Sequence, residues 1–126
     1  MQTERIEVGS TTSRRLPTVR AFNDIVCEAI DKTLEDLLGS QVMESFYAHL
    51  RDRFGVGRDE LPYRIDTISM VLENVFGVQG ASVIERKVAK NLYDKILVPF
   101  NDEQGTRLDQ FLRRAKEIVS RDSYYV

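Results

Sequence analysis

Residues 19–54 read VRAFNDIVCEAIDKTLEDLLGSQVMESFYAHLRDRF, and their apolar spacing decides the fold. Phe22, Val26, Ile30, Thr33 and Leu37 recur at helical intervals, widened by Ile25, Ala29 and Leu34, which predicts an amphipathic helix over about 19–38. Gly39 offers a left-handed C-terminal residue, and Ser40 offers an N-cap for the next helix. That second helix, over 41–54, carries Val42, Phe46, Leu50 and Phe54 on one face, with Met43 and Tyr47 beside them. Two helices joined this tightly form an αα-hairpin. No stretch of the chain alternates with period two between hairpin turns. The fold class is therefore all-α, a small bundle of four to five amphipathic helices behind a flexible N-terminal arm.

Working outward, the same stop signal appears twice, at Phe54-Gly55-Val56 and at Phe76-Gly77-Val78. Each glycine is expected at positive φ, with Val56 returning to Leu50 and Val78 to Leu72. Pro62 pushes Leu61 out of the helical region and so predicts a turn over 57–63. Leu61, Ile65, Ile68, Leu72, Val75 and Phe76 follow as a third helical stripe. Ser82 and Glu85 have the spacing of a capping box opening a fourth helix near 80–82. Ile84, Val88, Leu92 and Ile96 form its core face, and it ends before Pro99. A fifth helix over about 104–121 opens at Asn101 or Thr106, and residues 122–126 are expected to fray. Residues 1–17, including the polar run Gly9-Ser10-Thr11-Thr12-Ser13, read as a disordered basic arm before one domain at 18–122.

Of the 126 residues, 42% are apolar and 30% charged, which suits one folded domain large enough for its own core. The single cysteine cannot form an intrachain disulfide, and no apolar signal region follows the N-terminus. No continuous apolar run approaches the roughly 18 residues of a membrane span. These features place the chain in the cytoplasm. Charge is uneven along it. Four arginines against two glutamates give residues 1–20 a net +2; residues 21–55 carry seven acids and three bases; residues 78–101 return to a net +2.

Catalytic chemistry has little to work with. One histidine, one cysteine and no phosphate-cradling glycine loop exclude the usual site inventories. Cys27 and His49 are the one conceivable nucleophile and base, on helices that the Gly39 turn folds together. A cysteine on an apolar shoulder is more simply a small hydrophobe, and mid-helix positions offer no oxyanion donors. Asp24, Glu28, Asp31 and Glu35 share one face, but no histidine stands three residues after a glutamate, so a solvated face is preferred over a di-metal site. No catalytic, cofactor or metal residue is assigned, and no cofactor is expected.

Binding remains. The favoured reading is a non-enzymatic regulatory module acting through protein–protein contacts and associating with itself, because the apolar stripes are wider than one packed face. Leu108, Phe111, Leu112, Ala115, Ile118 and Val119 on the fifth helix, with the first helix beside it, are the expected homodimer surface. The alternative is a weak nucleic-acid or chromatin binder using Arg5, Arg14, Arg15 and Arg20 of the arm with Arg86, Lys87 and Lys90. Against it stands the absence of aromatics interleaved with those bases; Arg86, Lys87 and Lys90, with Arg113, Arg114 and Lys116 on the fifth helix, could meet phosphates but read more simply as solubilising charge.

The stretches Val26-Cys27-Glu28-Ala29-Ile30-Asp31, Leu37-Leu38-Gly39, Phe46-Tyr47-Ala48-His49-Leu50, Phe54-Gly55-Val56, Glu60-Leu61-Pro62, Val75-Phe76-Gly77-Val78-Gln79-Gly80-Ala81 and Ile84-Glu85 carry a further signal. Over about 24–97 the chain resembles a small archaeal family described as a Nitrososphaera-type output domain. The resemblance implies a compact helical module, alone or at the end of signalling chains, that acts by binding. It brings no catalytic residue. The arm and the fifth helix lie outside it.

Overall fold

The computed structural model describes residues 19–102 and 105–125; the side chains of residues 19, 20 and 122–125 fall outside that description, as does the basic arm of residues 1–17. Four α-helices and one 3-10 segment follow in order, and there is no strand among the described residues: α1 (Val19–Leu38), α2 (Ser40–Phe54), the 3-10 segment (Arg58–Tyr63), α3 (Ile65–Lys95) and α4 (Leu108–Tyr125). The all-α bundle is the observed fold. α1 lies at its centre and packs against α2, α3, α4 and the 3-10 segment, while α4 closes over α3 and α1.

The stripes form one continuous core. Phe22, Val26, Ala29, Ile30 and Leu34 come from α1; Ile68, Val71, Leu72, Ile84, Val88, Ala89 and Leu92 from α3; Leu108, Phe111, Ala115 and Val119 from α4. Burying side chains of this size stabilises by about 1.5–3 kcal/mol each before entropy is counted. Two stripes are rotated from expectation. Leu34 is buried and Leu37 exposed on α1, and Met43, Phe46, Tyr47 and Leu50 face inward on α2 while Val42 does not. Each lies within one helical step of the predicted face, and the packing partner, not the spacing, selects between them. Thr33 is fully buried because its hydroxyl donates to the Ala29 carbonyl at 2.7 Å and accepts Asn91 Nδ2 at 2.7 Å.

The two glycine stops are not alike. Gly55 (φ 68, ψ 26) is a left-handed cap; its N–H donates to the Arg51 carbonyl, and Val56 N–H donates to the Leu50 carbonyl, both at 3.1 Å. Gly77 also has positive φ (80) but an extended ψ (168), and helix resumes at once on its far side. Val78 is 70% exposed rather than seated on Leu72. Gly77 thus matches Gly39 (φ 86, ψ 158), which joins α1 to α2 without a loop. The predicted third and fourth helices are thus two helical segments of α3 that meet at Gly77, the predicted stop, with no loop between them.

The second segment starts directly after Gly77, ahead of the start expected near 80–82, so Ser82 is no helix start and Glu85 has no capping-box role. Gly39, not Ser40, occupies the N-cap of α2; Ser40 Oγ donates to Glu35 Oε2 at 2.9 Å instead. The C-terminal helix begins later than predicted, at Leu108, and continues to Tyr125 where fraying was expected. By length and composition alone α3, among the described residues, would pass for a membrane span, with a mean hydropathy of 1.2 over 18 residues, but it is broken at Gly77 and supplies Ile68, Val71, Leu72, Ile84, Val88 and Leu92 to the core. The sequence offered no such continuous run because the helix joins two shorter apolar segments across Gly77.

Candidate functional site

Three parts of the surface carry the residues that sequence reading singled out. The first surrounds the break in α3. Val75 is 52% and Val42 46% exposed, and they border an apolar groove of about 240 Å3 with Ser45, Phe46, His49 and Phe76. α2 contributes positions 42, 45, 46 and 49, which spacing of three and four residues sets along one face. The Phe46 and Phe76 rings lie 6.4 Å apart and form the floor. Gly80 permits this, since a Cβ there would stand 3.0 Å from Phe76 Cβ. No described element covers Val75 or Val78.

The second surface is polar. Asn23, Asp24, Cys27 and Glu28 of α1 face Arg58, Asp59 and Tyr63 across a cleft of about 560 Å3. Arg58 is held from three sides. Its guanidinium stacks 4.2 Å from the Tyr47 ring centroid, donates to Asp31 Oδ1 and lies 3.7 Å from Glu44. Tyr47 also donates to Asp31, at 3.2 Å. Burial, then the neighbouring Asp31 carboxylate, push the Tyr47 phenol well above its ordinary range. The acidic face of α1 is thus partly engaged: Glu28 lies 3.6 Å from Lys95, and Asp31 holds the Arg58 network.

Cys27 and His49 are not brought together. The Cys27 thiol donates to the Arg58 carbonyl at 3.5 Å inside the polar cleft. His49 packs edge-on to Phe54, 5.7 Å between centroids, and borders the apolar groove. Burial raises the Cys27 thiol pKa, and Asp24, Asp59, Glu28 and Asp31 add to the rise. This is the reverse of what activates a thiol nucleophile. Among the described residues, no three His, Cys, Asp or Glu side chains converge as metal ligands would.

The third is the basic set. Arg5, Arg14 and Arg15 lie outside the described residues, and of Arg20 only the helical backbone is described. Arg86 spends its charge inside the chain, donating through Nε and Nη2 to the two Asp102 oxygens at 3.0 and 3.2 Å. Lys90 is exposed and Lys87 partly so, without an ion pair among the described residues. The dimer stripe requires a correction. Leu108, Phe111, Leu112, Ala115 and Val119 are buried within the chain's own core and Ile118 is half-buried, because α4 turns this face onto α3 and α1.

Two features escaped sequence reading. One is Tyr63, 70% exposed, whose hydroxyl accepts from Asn23 Nδ2 at 2.8 Å. The other is the buried Glu85, which binds Arg107 through two bonds of 3.1 Å. A glutamate among Ile84, Val88, Ala89 and Leu92 was the available signal for the second. No family model, curated protein or solved structure matches this chain.

Proposed function

We propose that this chain is a non-enzymatic regulatory module of the cytoplasm that acts by binding protein partners and by pairing with itself. The observation that carries the reading is the uncovered apolar groove at the Gly77 break, bordered by Val42, Phe46, Val75 and Phe76. A small bundle that leaves such residues in water has a use for them. The groove lies between helical segments, so its partner is an amphipathic helix presenting apolar side chains every three or four residues. The resemblance of residues 24–97 to an output-type module supports binding in place of catalysis. So does Cys27, whose thiol burial and the surrounding carboxylates keep protonated.

The test uses the full chain and a V42E/V75E variant as baits in native lysate, with circular dichroism to establish that both are folded. Partners retained by the natural chain and lost by the variant carry the reading. Identical retention by the two baits overturns it.

A further inference from the structure

A second depression adjoins the polar cleft. It is a trough of about 230 Å3 floored by Phe22, Val26, Ile65 and Leu112, and it shares Asn23 and Tyr63 with the cleft. The hydrogen bond from Asn23 to the Tyr63 hydroxyl holds that ring as a ridge between the two hollows. The trough's other bank, on α4, carries Asp109, Arg113 and Lys116. Asp109 and Arg113 stand 4.0 Å apart, and Lys116 has no ion pair among the described residues. Beyond Tyr63 the cleft bank carries Asp24, Glu28 and Asp59. Arg58 there is already taken by Asp31 and Glu44, and Glu28 by Lys95. One surface therefore reads basic bank, apolar hole, exposed aromatic knob, acidic bank.

We propose that this surface pairs with a second copy of the chain about a two-fold axis. In an isologous interface residue i meets residue j and j meets i, so the patch must contain its own complement. Tyr63 of each copy enters the trough of the other, setting Arg113 and Lys116 of one against Asp24 and Asp59 of its partner. An exposed tyrosine beside a hole suits a buried interface anchor, because it adds contact area with few rotatable bonds. The opposed charges fix the register of the two copies. The proposal rests on the self-association part of the reading above, and it uses a different face from the Gly77 groove. It keeps the pairing on α1 and α4 but moves it from the buried stripe to the residues flanking it.

The experiment is sedimentation of the full chain with paired charge reversals. The natural chain should dimerise at micromolar concentration. R113E/K116E and D24K/D59K should each weaken the dimer at least about tenfold by placing like charges opposite one another, and an equimolar mixture of the two variants should recover a dimer. Y63A should remove the dimer while leaving the helical circular dichroism signal unchanged. A natural chain that stays monomeric at high micromolar concentration overturns the proposal, as does a mixture that fails to recover. V42E/V75E should still dimerise. If that variant alone abolishes pairing, copies meet at the Gly77 groove and the trough assignment is wrong, while the interaction reading survives.

Discussion

The carboxylate of Glu85, buried on α3, accepts the main-chain N–H of Leu108 at 3.2 Å and so caps the first turn of α4 from another helix. Arg107, the residue just before α4, returns its guanidinium to both Glu85 oxygens and also reaches Glu73 at 2.8 Å. These two carboxylates raise the Arg107 pKa further, so its charge is permanent. Placing a negative group against the positive end of a helix is favourable, by about 0.3–2 kcal/mol depending on burial. The connection from α3 to α4 is thereby anchored at the point where its chain re-enters the core.

Glu85→Ala should lower unfolding stability by about 2–3 kcal/mol, less than for a fully buried pair because Arg107 is half exposed. It removes a cap and leaves the guanidinium with Glu73 alone. Denaturant titration would give the loss, and hydrogen exchange should show it concentrated in the first turn of α4. A loss below about 0.5 kcal/mol would show that the cap contributes nothing of consequence.

The two glycine stops should separate under mutation. Nothing lies within 4 Å of a Cβ built on either Gly55 or Gly77, so the cost is purely conformational. Gly55 occupies the left-handed helical region, where alanine costs about 1 kcal/mol and asparagine less. Gly77 combines positive φ with extended ψ, a region nearly closed to side chains, and alanine there should cost about 2–3 kcal/mol. Equal unfolding midpoints for G55A and G77A would contradict this ordering.

Alkaline pH should destabilise the fold through Tyr47. Its folded pKa is raised, so its contribution is fully present below the unfolded value near 10 and is lost as pH climbs beyond it. The Tyr47 share of stability should therefore fall above about pH 10, in addition to the losses from Cys27 and Tyr93, whose pKa values burial also raises. Tyr47→Phe should flatten that fall, at a cost of about 1 kcal/mol at neutral pH for the missing bond to Asp31. Urea titrations of both proteins across this range provide the check; parallel curves would remove Tyr47 as the cause.

Cys27 should react slowly. Its thiol is held protonated by burial and by the surrounding carboxylates, so at pH 8 iodoacetamide should alkylate it well behind an unstructured cysteine peptide. Asp24→Asn together with Asp59→Asn should narrow the gap by removing two of the charges that oppose the thiolate. Alkylation as fast as the peptide's would mean the thiol is neither buried nor opposed by charge.

How far the sequence led depended on whether a feature was local. Helix existence followed from three- and four-residue spacing, and the positive φ of Gly55 and Gly77 followed from their place after helical stripes. Which flank of a stripe faced inward did not, because Leu34 against Leu37 and Met43 against Val42 are chosen by neighbours far along the chain. The charged groups failed for the same reason. Glu85 has capping-box spacing from Ser82, yet its partner is Arg107; Arg86 looks free, yet Asp102 neutralises it. Tyr63 gave no signal at all, since its role as a ridge arises only where the 3-10 segment meets α1 and α4.

The end of α3 contains a fourth positive-φ device, built on leucine. Leu97 has φ 60, its N–H donates to the Asp94 carbonyl at 3.3 Å, and Val98 N–H donates to the Tyr93 carbonyl at 3.0 Å. That pair of bonds is a Schellman cap, in which glycine is the favoured residue. Leucine pays about 1–2 kcal/mol for a left-handed backbone, and here the side chain recovers little by packing because it is 75% exposed. Glycine carries its own penalty in the unfolded chain, about 0.5–1 kcal/mol. The difference predicts that Leu97→Gly stabilises the protein by about 0.5–1 kcal/mol, which thermal or urea unfolding would resolve. The same change should leave the Gly77 groove and the Tyr63 surface untouched, so partner capture and self-association stay as they were. If Leu97→Gly instead destabilises the fold or abolishes a binding activity, the exposed leucine is itself a contact, and the strain at this cap is retained for recognition.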